Sequence, residues 1–135
     1  MSVGTSDDEM PAEFDLEVPE DVLALTERFY NEWCNGGFSQ LFSNWYPADV
    51  ALIPDGLRAI GAPDAAAIVQ SAIAELGPRS EWRTRGRDAL INPSSPLRQP
   101  LYDLNGKFGE HASHLEKLIV DYELKLSGET DEDGE

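Results

Sequence analysis

From Pro19 onward the apolar residues recur at helical spacing. Val22, Leu25, Phe29 and Trp33 follow one another at intervals of three, four and four, which is one face of a helix. Pro19 suits a first helical position, and Glu20 and Asp21 complement the positive end of the helix dipole. Asn35-Gly36-Gly37 predicts the stop, because Gly and Asn adopt the left-handed conformation readily. Phe38, Leu41, Phe42 and Trp45 then repeat the spacing, predicting a second helix up to Pro47 and a tight, aromatic-rich helical hairpin. Pro54 is expected to open a short helix carrying Leu57 and Ile60, ended by Gly61. Pro63 and Asp64 open the next, with Ala65, Ile68, Ala72 and Leu76 as its inner stripe and Gly77-Pro78 as its end. Residues 77–96 show no period and contain Gly86 and the Asn92-Pro93-Ser94-Ser95-Pro96 cluster, so they read as loop. Leu97, Leu101, Leu104 and Phe108 return to helical spacing. Ser113 and Glu116 have the spacing of a capping box ahead of Leu115, Leu118, Ile119, Tyr122 and Leu126. No strand pattern and no internal repeat is evident, and the expected fold is a compact all-α domain of about six short helices.

Composition narrows the function. A chain of 135 residues is one domain by size and buries enough surface for a core of its own. It carries 26 Asp and Glu against 10 Lys and Arg, a net charge of −16. That excludes direct nucleic-acid binding by phosphate neutralisation and disfavours anionic lipid. A single Cys excludes an internal disulfide framework, and one Cys with two His is too few for a usual structural zinc site. No apolar run is long enough to span a membrane, and the N-terminus lacks the basic and apolar regions of a signal peptide. A cytoplasmic protein without cofactor is expected.

The charge is concentrated at the ends. Residues 1–27 hold nine acids and no base, residues 129–135 hold five acids, and residues 28–128 are nearly balanced at −2. This divides the chain into an acidic N-terminal segment (1–18), a helical domain (19–127) and an acidic tail (128–135). Phe14, Leu16 and Val18 alternate with Glu13, Asp15 and Glu17. That period of two lets an extended segment lay its apolar side chains on the domain and turn its carboxylates outward. The plainer reading of acidic ends is that they are solvated tails that aid solubility.

The run Trp33-Cys34-Asn35-Gly36-Gly37-Phe38-Ser39-Gln40-Leu41-Phe42-Ser43-Asn44 resembles the Asn-Gly-Gly-Phe-x-Gln-x-Phe-x-Asn signature of a bacterial family, formerly a domain of unknown function, to which a DNA-mimic protein belongs. Ile60-Gly61-Ala62 is similar to an Ile-Gly-Ala step of that family. Leu104-Asn105-Gly106-Lys107-Phe108 resembles its Leu-Asp-x-x-Phe run, with Asn105 in place of the acid. The resemblance spans roughly residues 22–126. It implies an all-α fold and, for one branch, displacement of DNA from a transcription factor by an acidic protein surface.

The motif residues themselves read as structure. Gly36 and Gly37 serve the turn, Phe38 and Phe42 the core. Gln40 and Asn44 lie four apart on one helical face, placed to bond each other or cap a neighbouring helix end. His111 and His114 are spaced to touch one metal from a helix, but a cap at Ser113 would leave His111 outside it, so they read as surface imidazoles. Cys34 has no neighbouring base and reads as a packed or partly exposed thiol. Arg79, Arg83, Arg85 and Arg87 with Trp82 admit an anion patch. A salt-bridged surface loop, or an internal partner for the acidic ends, fits their small local charge better.

The resulting expectation is a non-enzymatic interaction protein resembling DNA mimics, whose carboxylates imitate phosphates toward a basic DNA-binding protein such as a transcription factor or nucleoid protein. Its acidic face would comprise Asp15, Glu17, Glu20, Asp21, Glu27 and Glu32, extended by Asp49, Asp55 and Asp64. A homodimer would double that surface. The alternative is a helical adaptor or immunity-type module that binds through Trp45, Tyr46, Trp82 and Tyr102, with solubilising acidic ends. A catalytic cleft around Gln40 and Asn44 is a distant third.

Overall fold

The computed structural model describes residues 10–128. Six helices follow in order: α1 (Pro19–Asn44), α2 (Pro47–Ala59), α3 (Pro63–Ala74), α4 (Trp82–Ile91), α5 (Arg98–Gly109) and α6 (Ala112–Ser127). No strand occurs among the described residues. The all-α architecture expected from the periodicity is the observed one.

α1 holds the predicted hairpin inside one element. Its helical path breaks at Gly37, where φ is 71° and ψ is −165°. The break turns the chain sharply. Twelve residues of straight helix would separate Glu32 from Asn44 by about 18 Å, yet their side chains are hydrogen-bonded. Phe38 N–H, at the break, donates instead to Asn105 Oδ1 on α5 at 3.0 Å. The same oxygen accepts Trp33 Nε1–H at 3.0 Å. A side chain at position 37 would need the left-handed conformation and would bring its Cβ within 2.6 Å of the Asn105 amide. Gly37 and Asn105, from two separate motifs, therefore form one joint. Around it pack Phe29, Phe38, Phe42 and Phe108, all fully buried. Phe29 meets Phe108 edge-on at 5.4 Å and Phe38 meets Phe108 edge-on at 5.7 Å, a geometry the ring quadrupoles favour.

Three expectations are corrected. α2 starts at Pro47, not Pro54, and Pro54 lies inside the helix. An internal proline costs about 3 kcal/mol. Burial of Val50, Ile53 and Leu57 on one stripe returns about 1.5–3 kcal/mol each, so the helix runs through. Residues 79–91 are not loop: a 3₁₀ turn at Arg79–Glu81 leads into α4. α4 lies against α1, and Gly86 is the point of closest approach, because a Cβ there would sit 2.6 Å from Phe42 Cβ and 2.9 Å from the Ser43 backbone nitrogen. Its inner face is Trp82, Gly86 and Ala89. That is helical spacing, carried mostly by residues too small to register as an apolar stripe. Finally, Ser113 does not cap α6. The helix begins at Ala112 with His111 as N-cap and no side-chain cap bond. α5 closes through His111 N–H to Phe108 O at 2.9 Å, and α6 starts at once through Leu115 N–H to His111 O at 2.8 Å.

Candidate acidic interaction surface

The N-terminal segment is attached to the body. Phe14 and Leu16 are half-buried against the core, and Phe14 stacks on Trp45 at 6.3 Å. Glu13 N–H donates to Asp49 Oδ1 at 2.8 Å. The period of two holds for these two positions and fails at Val18, which is 38% exposed. There the chain has already turned into α1, through Val18 N–H to Asp15 O at 2.9 Å.

The carboxylates along this stretch are oriented by neutral donors. Asp15 Oδ1 accepts Glu17 N–H at 2.9 Å, and Asp21 Oδ2 accepts Asp15 N–H at 2.8 Å. A backbone N–H fixes a carboxylate without cancelling its charge. Glu17 and Glu20 are exposed beside them. The base nearest in sequence, Arg28, lies 3.5 Å from Glu13. That pair is exposed on both sides, and such pairs contribute little.

The remaining candidates do not extend this face uniformly. Glu27 is half-buried on α1. Glu32 is half-buried and turned to the second arm of α1, where its Oε2 accepts Gln40 Nε2–H at 3.2 Å and an Asn44 Nδ2–H. Gln40 and Asn44 thus neither bond each other nor cap a helix; both hold Glu32. Asp49 is only 5% exposed and serves the fold as the acceptor that anchors Glu13. Burial pushes its carboxyl above the usual range, against the pull of the Glu13 and Phe14 backbone donors. Asp55 pairs with Arg58 at 2.8 Å. Asp64 is exposed at the start of α3, beside a small pocket that His111 and His114 also line. Among the described residues no group of three or more His, Cys, Asp or Glu side chains is placed to hold a metal. Asp7, Asp8, Glu9 and the acids of residues 129–135 lie outside the described residues.

Between the segment, the first arm of α1 and the start of α2 lies a cleft of about 430 Å³. Glu13, Arg28, Asn31, Glu32 and Asn35 line one side. Glu13, Arg28 and Asn31 were not read from sequence as site residues. For Arg28 and Asn31 the signal is in the sequence: Arg28, Asn31, Glu32 and Asn35 repeat at three, one and three, the polar face of the helix whose other face is Phe29 and Trp33. Of the motif residues, Asn35 and Asn44 line this cleft, while Gly36 and Gly37 border a shallower one with Cys34. Cys34 is exposed. The Tyr30 phenol, pushed up to about 12 by burial and then by its hydrogen bond with Cys34, stays protonated at any physiological pH.

Of the aromatic surface expected for an adaptor, Trp45 and Tyr46 share one cleft, and Trp82 and Tyr102 do not join them. Trp82 is a core residue at 9% exposure, with Nε1–H donated to Gly77 O at 2.9 Å. Trp45 is half-buried against Phe14. Only Tyr46 and Tyr102 of the four are exposed. Three of the four arginines of the 79–87 stretch are engaged within the molecule. Arg79 lies over Trp82 at 5.5 Å and Arg83 over Tyr46 at 4.7 Å, while Arg85 pairs with Glu81 at 2.6 Å.

Fold and surface together define an acidic all-α protein with an acidic segment, free of bases in its own sequence, anchored to its body. A family model described as DMP19-like protein matches residues 15–126, and the chain belongs to that family. No curated protein and no solved structure gives a significant match. No helix among the described residues is long and apolar enough to cross a membrane.

Proposed function

We propose that this protein acts as a DNA mimic: a non-enzymatic competitor that occupies the basic surface of a DNA-binding protein, a transcription factor or nucleoid protein, in place of DNA. The family name supports the class of partner. The observation that carries the reading is the anchored segment. Asp15, Glu17, Glu20 and Asp21 stand on backbone tied down by Phe14, Asp49 and the first turn of α1, and no base interrupts them. A partner's Arg and Lys residues would meet carboxylates already in place, so that little ordering entropy opposes binding. Glu27 extends the row, since it shares the Glu20 face of α1 about 10.5 Å further along.

The test is competition. Nucleoid and transcription-factor proteins of the source cell are each loaded with fluorescent duplex DNA and titrated with this protein. At least one releases its duplex at about 50 mM salt, and release weakens steeply by about 200 mM, because counterion release and screening both oppose the complex. The reading fails if none releases DNA. It also fails if release is unchanged by Asp15→Asn, Glu17→Gln and Glu20→Gln together. In that case the exposed pair Leu90 and Tyr102, which border one shallow depression, becomes the place to look for an adaptor surface.

A further inference from the structure

The cleft beneath the acidic segment has a chemistry of its own. Three carboxylates line it, those of Glu13, Glu32 and Asp49, with one lining guanidinium, Arg28, and a second, Arg83, over the Tyr46 ring at 4.7 Å. Trp45, stacked with Phe14, and Tyr46, which carries Arg83 over one face, supply aromatic wall. Glu32 is the distinctive member. Its Oε2 is held by Gln40 and Asn44, while Oε1 has no donor among the described residues. A half-buried carboxylate with one oxygen fixed and the other open is a pre-set acceptor. The chain also shows how this cleft treats a guanidinium. Arg28 lies over the Phe14 ring at 5.3 Å and faces Glu13 at 3.5 Å, the aromatic-plus-carboxylate arrangement that suits arginine's flat, weakly hydrated head better than lysine's compact ammonium.

We propose that this cleft receives an arginine side chain of the protein partner, its guanidinium donating to Glu32 Oε1 and lying against the Trp45–Tyr46 wall. This deepens the mimicry reading and rests on it for the partner's identity. Exposed carboxylates on the segment would attract any cation and set the salt dependence, whereas the cleft would select arginine over lysine. It also gives Gln40 and Asn44 a positioning role toward the partner through Glu32.

The experiment uses the full chain, ¹⁵N-labelled, titrated with acetyl-Gly-Arg-Gly-Arg-Gly-amide and with its lysine twin. The arginine peptide moves the Trp45 indole N–H resonance, leaves that of Trp82 in place, and binds about fivefold more tightly than the lysine peptide. Glu32→Gln weakens the arginine peptide about tenfold and brings it level with the lysine one. A silent Trp45 resonance, or equal affinity of the two peptides for the natural chain, overturns the proposal. Should Glu32→Gln unfold the protein, the arginine-to-lysine ratio and the Trp45 response of the natural chain decide alone. The two readings fail separately. Trp45 responding while no DNA-binding protein is displaced sinks mimicry and keeps the cleft. DNA displacement with a silent Trp45 does the reverse.

Discussion

Between Glu13 and Asp21 five carboxylates share a stretch without a base; between Arg79 and Arg87 four guanidiniums share one with a single acid, Glu81. The first stretch is tied down through neutral groups: the Phe14 ring, the Glu13 amide on Asp49 and the Asp15 amide on Asp21. Asp15 and Asp21 are thereby oriented, and of its five carboxylates only Glu13 meets a base, Arg28, in an exposed pair. In the second, three of the four are tied down through the charges themselves, Arg79 on Trp82, Arg83 on Tyr46 and the Ser43 carbonyl, and Arg85 on Glu81. Equally dense charge thus has opposite uses. A charge held by a backbone N–H remains available to an outsider, whereas one laid on an aromatic ring or a counter-charge is spent on the fold.

The largest effect separating the two regions is expected at the α1–α4 contact. Gly86→Ala places a methyl against the Phe42 and Ser43 backbone. Overpacking of that kind costs about 1–3 kcal/mol and outweighs the gain of about 1 kcal/mol in helix propensity. Thermal unfolding of the variant is expected to show a clear loss. A variant as stable as the natural chain would mean that α4 is not wedged on α1.

Next in size is the anchor. Asp49→Ala removes the acceptor of the Glu13 amide and is expected to cost about 1 kcal/mol, with faster hydrogen exchange at Glu13 and Phe14. Asp49→Asn keeps an acceptor oxygen and sheds the buried charge. The pH dependence follows from the raised value. Between the ordinary carboxylate value of 3.8 and its own higher one, the folded chain binds this proton more tightly than the unfolded chain does. Asp49's contribution is therefore present at low pH and lost as pH rises through the raised value. Asp49→Asn removes that slope, so its stability relative to the natural chain should grow from acid toward neutral pH. A difference independent of pH would show that Asp49 titrates normally.

The smallest stability effect belongs to the exposed carboxylates. Asp15→Asn, Glu17→Gln and Glu20→Gln together should move stability by no more than about 0.5 kcal/mol per site, while flattening the salt dependence of DNA displacement. A large stability loss would place these residues with the arginines, as parts of the fold.

Much of this architecture was legible in the sequence, for identifiable reasons. α1, α5 and α6 announce themselves because Leu, Phe and Ile carry their inner faces, and α3, whose inner face is Ala and Val, because Pro63-Asp64 and Gly77-Pro78 bracket it. α4 does not, since Gly86 and Ala89 occupy two of its three inner positions and backbone approach, not side-chain burial, seats it. Pro54 misleads because a proline's local preference is smaller than the burial of the three residues around it. At the acidic face, the inward turn of Phe14 and Leu16 was legible from alternation, and the charge pattern from counting. The burial of Asp49 was not. An acid in the first turn of a helix ordinarily complements the dipole in solvent, and only the return of residue 13 onto α2 gives it another use. Asn105 was visible as a departure from the family run, but its bond to Phe38 N–H spans 67 residues and no local pattern carries that.

Whether the acidic segment works as a held array is decided most directly by Phe14→Ser. This variant keeps every carboxylate and removes the ring stacked on Trp45. The measurement is displacement of duplex DNA from a responding DNA-binding protein at low salt, alongside the natural chain. Loss of displacement with net charge unchanged is the predicted result. Displacement equal to that of the natural chain would show that charge alone suffices, and that the anchoring of residues 13–21 plays no part in recognition.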